Sequence, residues 1–280
     1  MIPYGKHNIS DDDVQAIIDV LKSNFLTQGP VVPKFENRLS SVVNSKYATV
    51  VNSATSALHI ACLALNIQPG DLVWTVPNTF VASANCALYC GASIDFVDID
   101  PVTANLSVDI LKQKLTSTKR RGGILPKVVI PVHLAGESCD MATIKQLSRE
   151  YDFKIIEDAS HAIGGEYQKN SIGSCKYSDI TVFSFHPVKI VTSGEGGAAL
   201  TNCPELDKRL KLLRSHGITR DKNQMHYPCD KGWYYEQVDL GFNYRMTDIQ
   251  AALGLSQLKR LHEYVDKRHV IAEMYDKAFN

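Results

Sequence analysis

The chain has 280 residues, 44% hydrophobic and 21% charged, the balance of an ordinary globular protein of one large domain or a domain and a half. Its 30 Lys and Arg offset 30 Asp and Glu, so no net charge draws it to nucleic acid or to an anionic membrane. Seven cysteines, scattered and without a C-x-x-C spacing, suggest neither a disulfide framework nor a zinc knuckle and fit a reduced, cytosolic compartment.

The opening MIPYGKHNISDDD is too polar and acidic for a signal peptide, and no apolar run approaches the roughly 18 residues of a membrane helix. Ser10 and Asp13 form a capping-box-like start to a first helix, with Val14, Ile17, Ile18 and Leu21 on one face. A strand, YATVV (47–51), leads into a buried helix, SATSALHIACLAL. Strand LVWTV, a helix from Ala82 to Tyr89, strand IDFVDI, helix SVDILKQKL and strand KVVIPV follow. KRR at 119–121 reads as a solvated loop. Helix MATIKQLSREY, strands KIIED and DITVFSF, a further strand at GGAALTN and a helix from Pro204 to Ser215 come next. A loop rich in Tyr, Asp and Gly runs to about Arg245, and a long amphipathic helix begins near Thr247. Strands alternating with helices predict an α/β fold with a mostly parallel sheet covered on both faces.

In such sheets ligands gather beyond the carboxyl ends of the strands. Four motifs fall there: NSATS after Val51, PNTF after Val76, EDASH after Ile156 and SFHPVK after Phe183. NSATSAL opens a helix with small hydroxylated residues. Free N–H groups and the positive end of the helix dipole suit a phosphate there, although an ordinary N-cap fits as well. Asp158 ends an apolar strand. It could cap a helix, or hold a pyridinium nitrogen protonated, as pyridoxal phosphate enzymes require beside a lysine. Lys189 lies among apolar and small residues, which would desolvate it and free its neutral amine. A lone lysine is usually a surface residue; four motifs at four strand ends argue against that here. Gly194, Gly196 and Ala199 match a weak dinucleotide fingerprint, but no helix starts there, and no P-loop motif exists.

NSATSAL, EDASHA, SFHPVK, GEGG and GFNYRMTDIQAALG occur in order, and with them the whole chain resembles the DegT/DnrJ/EryC1/StrS sugar aminotransferases. The resemblance implies the aspartate-aminotransferase fold and pyridoxal 5′-phosphate as cofactor. It implies that Lys189 bonds the cofactor aldehyde and then moves the proton, and that Asp158 pairs with the ring nitrogen. His161 would lie beside the ring oxygen, and Ala54, Thr55 and Ser184 at the phosphate. Phe80 would stack on the ring, unless it is a core aromatic. Asn243 would reach the phosphate of a neighbouring subunit, so a homodimer with shared sites is implied. Arg245 and the loop from Trp233 to Glu236 would lie near that shared site. Thr27 and Gln28 would touch sugar or nucleotide, or form a plain turn. His186 adjoins the chemistry without an assigned role.

The implied reaction is ping-pong. An amino donor, in this family usually L-glutamate, gives its nitrogen to C4 of a UDP-linked 4-keto-6-deoxy-N-acetyl-hexose, as in the branch serving pseudaminic acid synthesis. Another nucleotide sugar, or an inactive cofactor-binding homologue, stays open. Related dehydratases carry His in place of the lysine, which Lys189 argues against. The resemblance also places a cofactor-binding large domain at 1–245 and the start of a smaller C-terminal domain, largely absent, at 246–280.

Overall fold

A computed structural model describes residues 5–227, 229 and 231–279. In chain order the elements are α1 (Asp11–Leu21), α2 (Val31–Val43), β1 (Tyr47–Val51), α3 (Ala54–Ala64), β2 (Leu72–Thr75), α4 (Ala82–Tyr89) and β3 (Ser93–Phe96). Then come α5 (Val108–Arg120), β4 (Val128–Val129), α6 (Met141–Tyr151), β5 (Lys154–Asp158) and the small hairpin β6 (Glu166–Tyr167) with β7 (Asn170–Ser171). The chain continues through β8 (Ile180–Ser184), β9 (Gly197–Thr201), α7 (Pro204–Arg214), β10 (Ile218–Thr219), β11 (Glu236–Gln237), α8 (Asp248–Gln257) and α9 (Leu261–Phe279).

Seven strands form one sheet in the order β1-β9-β8-β5-β4-β2-β3. Only β9 runs against the rest, pairing antiparallel with both β1 and β8. The central strands are apolar on both sides, as a sheet covered by helices requires. Alternate residues explain the layers. Ile156, Val128 and Val182 face α3, α4 and α7. Ile155, Val129 and Trp74 face α5 and α6. Phe183, Ala198 and Val50 face α2 and α8. Met246, Ala251, Leu258 and Leu261 belong to this last core, so α8 and the start of α9 are built into the body of the sheet.

Four features differ from the sequence reading. Helix α2 has no counterpart among the predicted elements; Pro33 falls in its first turn, where a missing N–H costs nothing. On α1, Val14 and Leu21 face solvent, and Asp13 and Val20 pack inward instead. A carboxylate can be buried there because Ser10 N, Gln257 Nε2 and Arg260 all donate to Asp13 Oδ2. Lys119 and Arg120 form the last turn of α5 rather than a loop, where cations complement the helix dipole. The final helix is interrupted by a 3₁₀ turn, Leu258–Arg260, before α9 resumes.

Candidate active site

Asp158 ends β5 and is buried. Its Oδ2 accepts from Ser83 Oγ at 2.7 Å; its Oδ1 accepts from Ser160 Oγ at 2.6 Å and from Ser160 N at 3.2 Å. Thr79 Oγ1 lies 2.8 Å from Ser83 Oγ and extends the chain of hydroxyls. Among the described residues Oδ2 thus has one donor, which leaves a second lone pair for a ring N–H. The backbone around Asp158 is clamped as well, its N–H donating to Pro131 O and its carbonyl accepting from His133 N.

Beneath it lies a second buried group. Cys139 N donates to His133 Nδ1 at 3.2 Å, so the imidazole carries its proton on Nε2 and donates to Glu157 Oε1 at 2.8 Å. Ser178 and Thr181 donate to Glu157 Oε2, each at 2.8 Å. Burial alone would raise the Glu157 pKa; these three donors bring it below its ordinary value.

Lys189 stands in a loop closed at its base. Ser193 N and Thr192 Oγ1 both donate to Phe185 O, and Lys189 N donates to His186 O. The side chain is half-buried, and among the described residues no carboxylate makes an ion pair with it. Desolvation pushes its amine below the ordinary lysine range, with the Asp158 carboxylate opposing. His186 is turned aside: its Nδ1 accepts from Val188 N, and its Nε2 faces Glu195 at 4.0 Å.

His161 accepts Ala135 N–H at Nδ1, 3.2 Å away, which leaves the proton on Nε2. Its pKa is lowered by burial first and then by the Lys189 charge, so the ring is held as a neutral donor.

At the other side, Ser184 ends β8 opposite Gly197. A side chain at Gly197 would place Cβ 2.4 Å from Ala54 N, so only glycine lets β9 pass this close to the start of α3. Ser184 and the first turn of α3 are thereby neighbours. Ser53 caps α3 through Ser56 N at 3.1 Å. The N–H groups of Ala54 and Thr55 open the helix and have no carbonyl one turn earlier within it.

The structure brings Asp158, His161 and Lys189 within electrostatic reach of one another, and Ser184 beside Ala54 and Thr55. Phe80 is 74% exposed in the turn before α4, which corrects the core-aromatic alternative. Asn243 is exposed and bridges Ser215; Arg245 bridges Val51 and donates to Ser215 Oγ. Thr27 bridges Thr247, and Gln28 follows with a φ of 56°, both exposed. Trp233 to Glu236 lead into the β10–β11 hairpin. Ser83 and Ser160 were not among the sequence candidates. Ser160 could have been found as the hydroxyl two residues after an Asp, a local turn pattern; Ser83 comes from a different strand end and has no local signal. Among the described residues no cluster suits a metal ion, and no helix is long and apolar enough to cross a membrane.

Residues 7–280 match the DegT/DnrJ/EryC1/StrS aminotransferase family. The chain is 40% identical over 279 residues to the UDP-4-amino-4,6-dideoxy-N-acetyl-beta-L-altrosamine transaminase of Campylobacter jejuni, covering 100% of this chain and 70% of that one. Helicobacter pylori PseC, an aminotransferase involved in the biosynthesis of pseudoaminic acid, superposes with a TM-score of 0.88 at 34% identity, over 99% of this chain and 70% of that one. A Streptococcus pneumoniae structure in its PLP form gives 0.87 at 32% identity, over 99% and 71%.

Proposed function

The chain belongs to the DegT/DnrJ/EryC1/StrS aminotransferases, which are pyridoxal-phosphate-dependent sugar aminotransferases, and from that premise we propose that it transfers an amino group from L-glutamate to C4 of a UDP-linked 4-keto-6-deoxy-N-acetyl-hexose in pseudaminic acid biosynthesis. The reading rests above all on the pairing of a desolvated Lys189 with a buried, hydroxyl-held Asp158 at adjacent strand ends.

These residues suit the cofactor. The open lone pair on Asp158 would take the ring N–H and keep it protonated. His161 Nε2–H would donate to the ring oxygen. Ala54 N, Thr55 N and Ser184 Oγ would hold the phosphate at the positive end of α3. Phe80, free of packing in this chain, would cover one ring face. When bound, pyridoxal phosphate supplies the electron sink that lets an amine pass between two carbons. Lys189 would take the proton from the donor carbon in the first half-reaction and supply one to the sugar carbon in the second, a role that an amine held below the ordinary lysine range favours. Arg245, Thr27, Gln28 and His186 would contact substrate only at its periphery. Asn243 would serve a neighbouring subunit in a homodimer.

The test loads the protein with pyridoxal phosphate, reduces with borohydride and maps the modified peptide, which should contain Lys189. Mass spectrometry of mixtures with glutamate and UDP-4-keto-6-deoxy sugars should then show the 4-amino product. Labelling elsewhere removes the Lys189 assignment; amination of only a different nucleotide sugar removes the substrate assignment.

A further inference from the structure

Glu157 stands next to Asp158 at the end of β5 and takes no part in the proton transfers above. Alternation along the strand sends the two carboxylates to opposite faces of the sheet. Asp158 meets Ser83 at the start of α4; Glu157 meets His133, Ser178 and Thr181. Glu157 and all three of these partners are buried.

A buried carboxylate is ordinarily matched by a cation. Here its donors are an imidazole N–H and two hydroxyls, and among the described residues no Lys or Arg makes an ion pair with it. The imidazole is no cation either. Glu157 draws a second proton toward His133, but Nδ1 is taken by the Cys139 N–H, which can only donate. The remaining titratable neighbours of Glu157 are thiols. Cys139 Sγ donates to Val132 O at 3.3 Å, and burial pushes Cys175 up to about 12. Asp158, for its part, faces Lys189 and His161. A negative charge without a cation of its own is therefore held one residue from Asp158. The neighbours do not demand it. A Gln at this position would serve them equally, its amide oxygen accepting from His133 and its NH₂ donating to the two hydroxyls.

We infer that Glu157 is a second carboxylate for the cofactor's protonated ring nitrogen, a positioning residue that acts through Asp158 without touching the ring; this rests on the aminotransferase reading above. The pyridinium is the cation that the two carboxylates lack. Asp158 meets it directly, and Glu157 acts on it through the interior, where no water screens the charge. Ser83 and the two Ser160 donors stabilise the Asp158 charge and so weaken its pull on a ring proton; a second negative charge restores that pull. His133 fixes the arrangement. Its backbone N–H donates to Asp158 O at 3.0 Å and its ring to Glu157 Oε1 at 2.8 Å, so one residue holds both ends.

Glu157→Gln is the test, on protein loaded with pyridoxal phosphate carrying ¹⁵N in the ring. Nitrogen NMR across pH reports the ring proton directly. The variant should lose that proton about one pH unit lower than the parent, and should bind pyridoxamine phosphate, which makes no bond to Lys189, about tenfold more weakly. Its circular dichroism should match the parent's. Glu157→Asp is the converse. It keeps the charge and gives up packing, so it should melt lower yet leave the ring titration in place. A ring titration unmoved by Glu157→Gln makes Glu157 a packing residue and overturns the inference, with the aminotransferase reading left standing. So does a titration displaced by Glu157→Asp, which carries the test by itself if Glu157→Gln does not fold. A parent that binds no cofactor, or whose ring nitrogen carries no proton at neutral pH, overturns the Asp158 reading and this inference with it.

Discussion

At Asp158 the charge matters more than the shape. Asp158→Asn keeps the side chain's size and one acceptor for Ser83 or Ser160, but a neutral amide cannot hold a ring nitrogen protonated. The glutamate half-reaction should slow by roughly a thousandfold, about 4 kcal/mol in the barrier, while circular dichroism stays unchanged. A near-normal rate by stopped-flow absorbance would remove Asp158 from this role. Lys189 gives a prediction in pH. Its folded pKa lies below that of the unfolded chain, so the unfolded state binds more protons and the protein without cofactor gains stability as pH rises toward the ordinary lysine value. Lys189→Met removes this penalty. The variant should be more stable than the parent at neutral pH, and the gap should narrow as pH climbs toward 10.5. A gap independent of pH would show that packing, not titration, sets it.

Helix α2 shows how one residue can hold an element far away in sequence. Asp248, fully buried at the start of α8, accepts from Gly29 N at 2.7 Å and Val31 N at 2.8 Å, and from Val32 N at 3.3 Å. It does for α2 what Pro30, with no side-chain oxygen, cannot do. Asp248→Ala leaves two half-buried donors and the buried Val32 N–H without their acceptor, and should cost about 2–4 kcal/mol, seen as a lower urea midpoint at unchanged slope. A loss below half a kcal/mol would mean that water replaces the carboxylate. The same distance in sequence explains which parts of the fold could be read in advance. The βα succession and the four strand-end motifs are local patterns, and β1, α3, β5 and β8 follow them. Helix α2 carries a readable stripe, Val32, Phe35, Leu39 and Val43 at helical spacing, which the sequence reading omits; only its cap, more than two hundred residues away, has no local signal. Asp158 and Lys189 were legible because each sits in a short, chemically odd stretch. Ser83 beside Asp158 and the His133–Glu157 pair arise only when distant segments meet. The exposed Val14 and Leu21 show the limit of periodicity: the face turned inward carries Asp13 and Val20 and is offset from the stripe, with Ile17 and Ile18 half-buried.

Among the uncovered large apolar side chains, two groups lie close to each other. Phe80, Val81, Leu88 and Tyr89 are exposed along α4 and the turn before it, and Trp233, Tyr235 and Leu240 along the loop that follows β10. The two regions are joined through His59, whose ring contacts Tyr89, Phe242 and Tyr244. Asn243 lies exposed between the last two. In the homodimer proposed above, a second copy of the chain, related by a two-fold axis, would cover this patch and bring Asn243 to the neighbour's phosphate. Complementation tests this directly. Lys189→Ala and Asn243→Ala chains are each prepared, unfolded, mixed in equal amounts and refolded. Each alone should be impaired. If the sites are shared, half of the dimers are hybrids, and each hybrid has one site with both residues intact and one with neither, so activity should return to about a quarter of the unaltered protein's. Mass spectrometry confirms that hybrids have formed. Activity that stays at the average of the two variants, with hybrids present, would place Asn243 at its own subunit's site or at none.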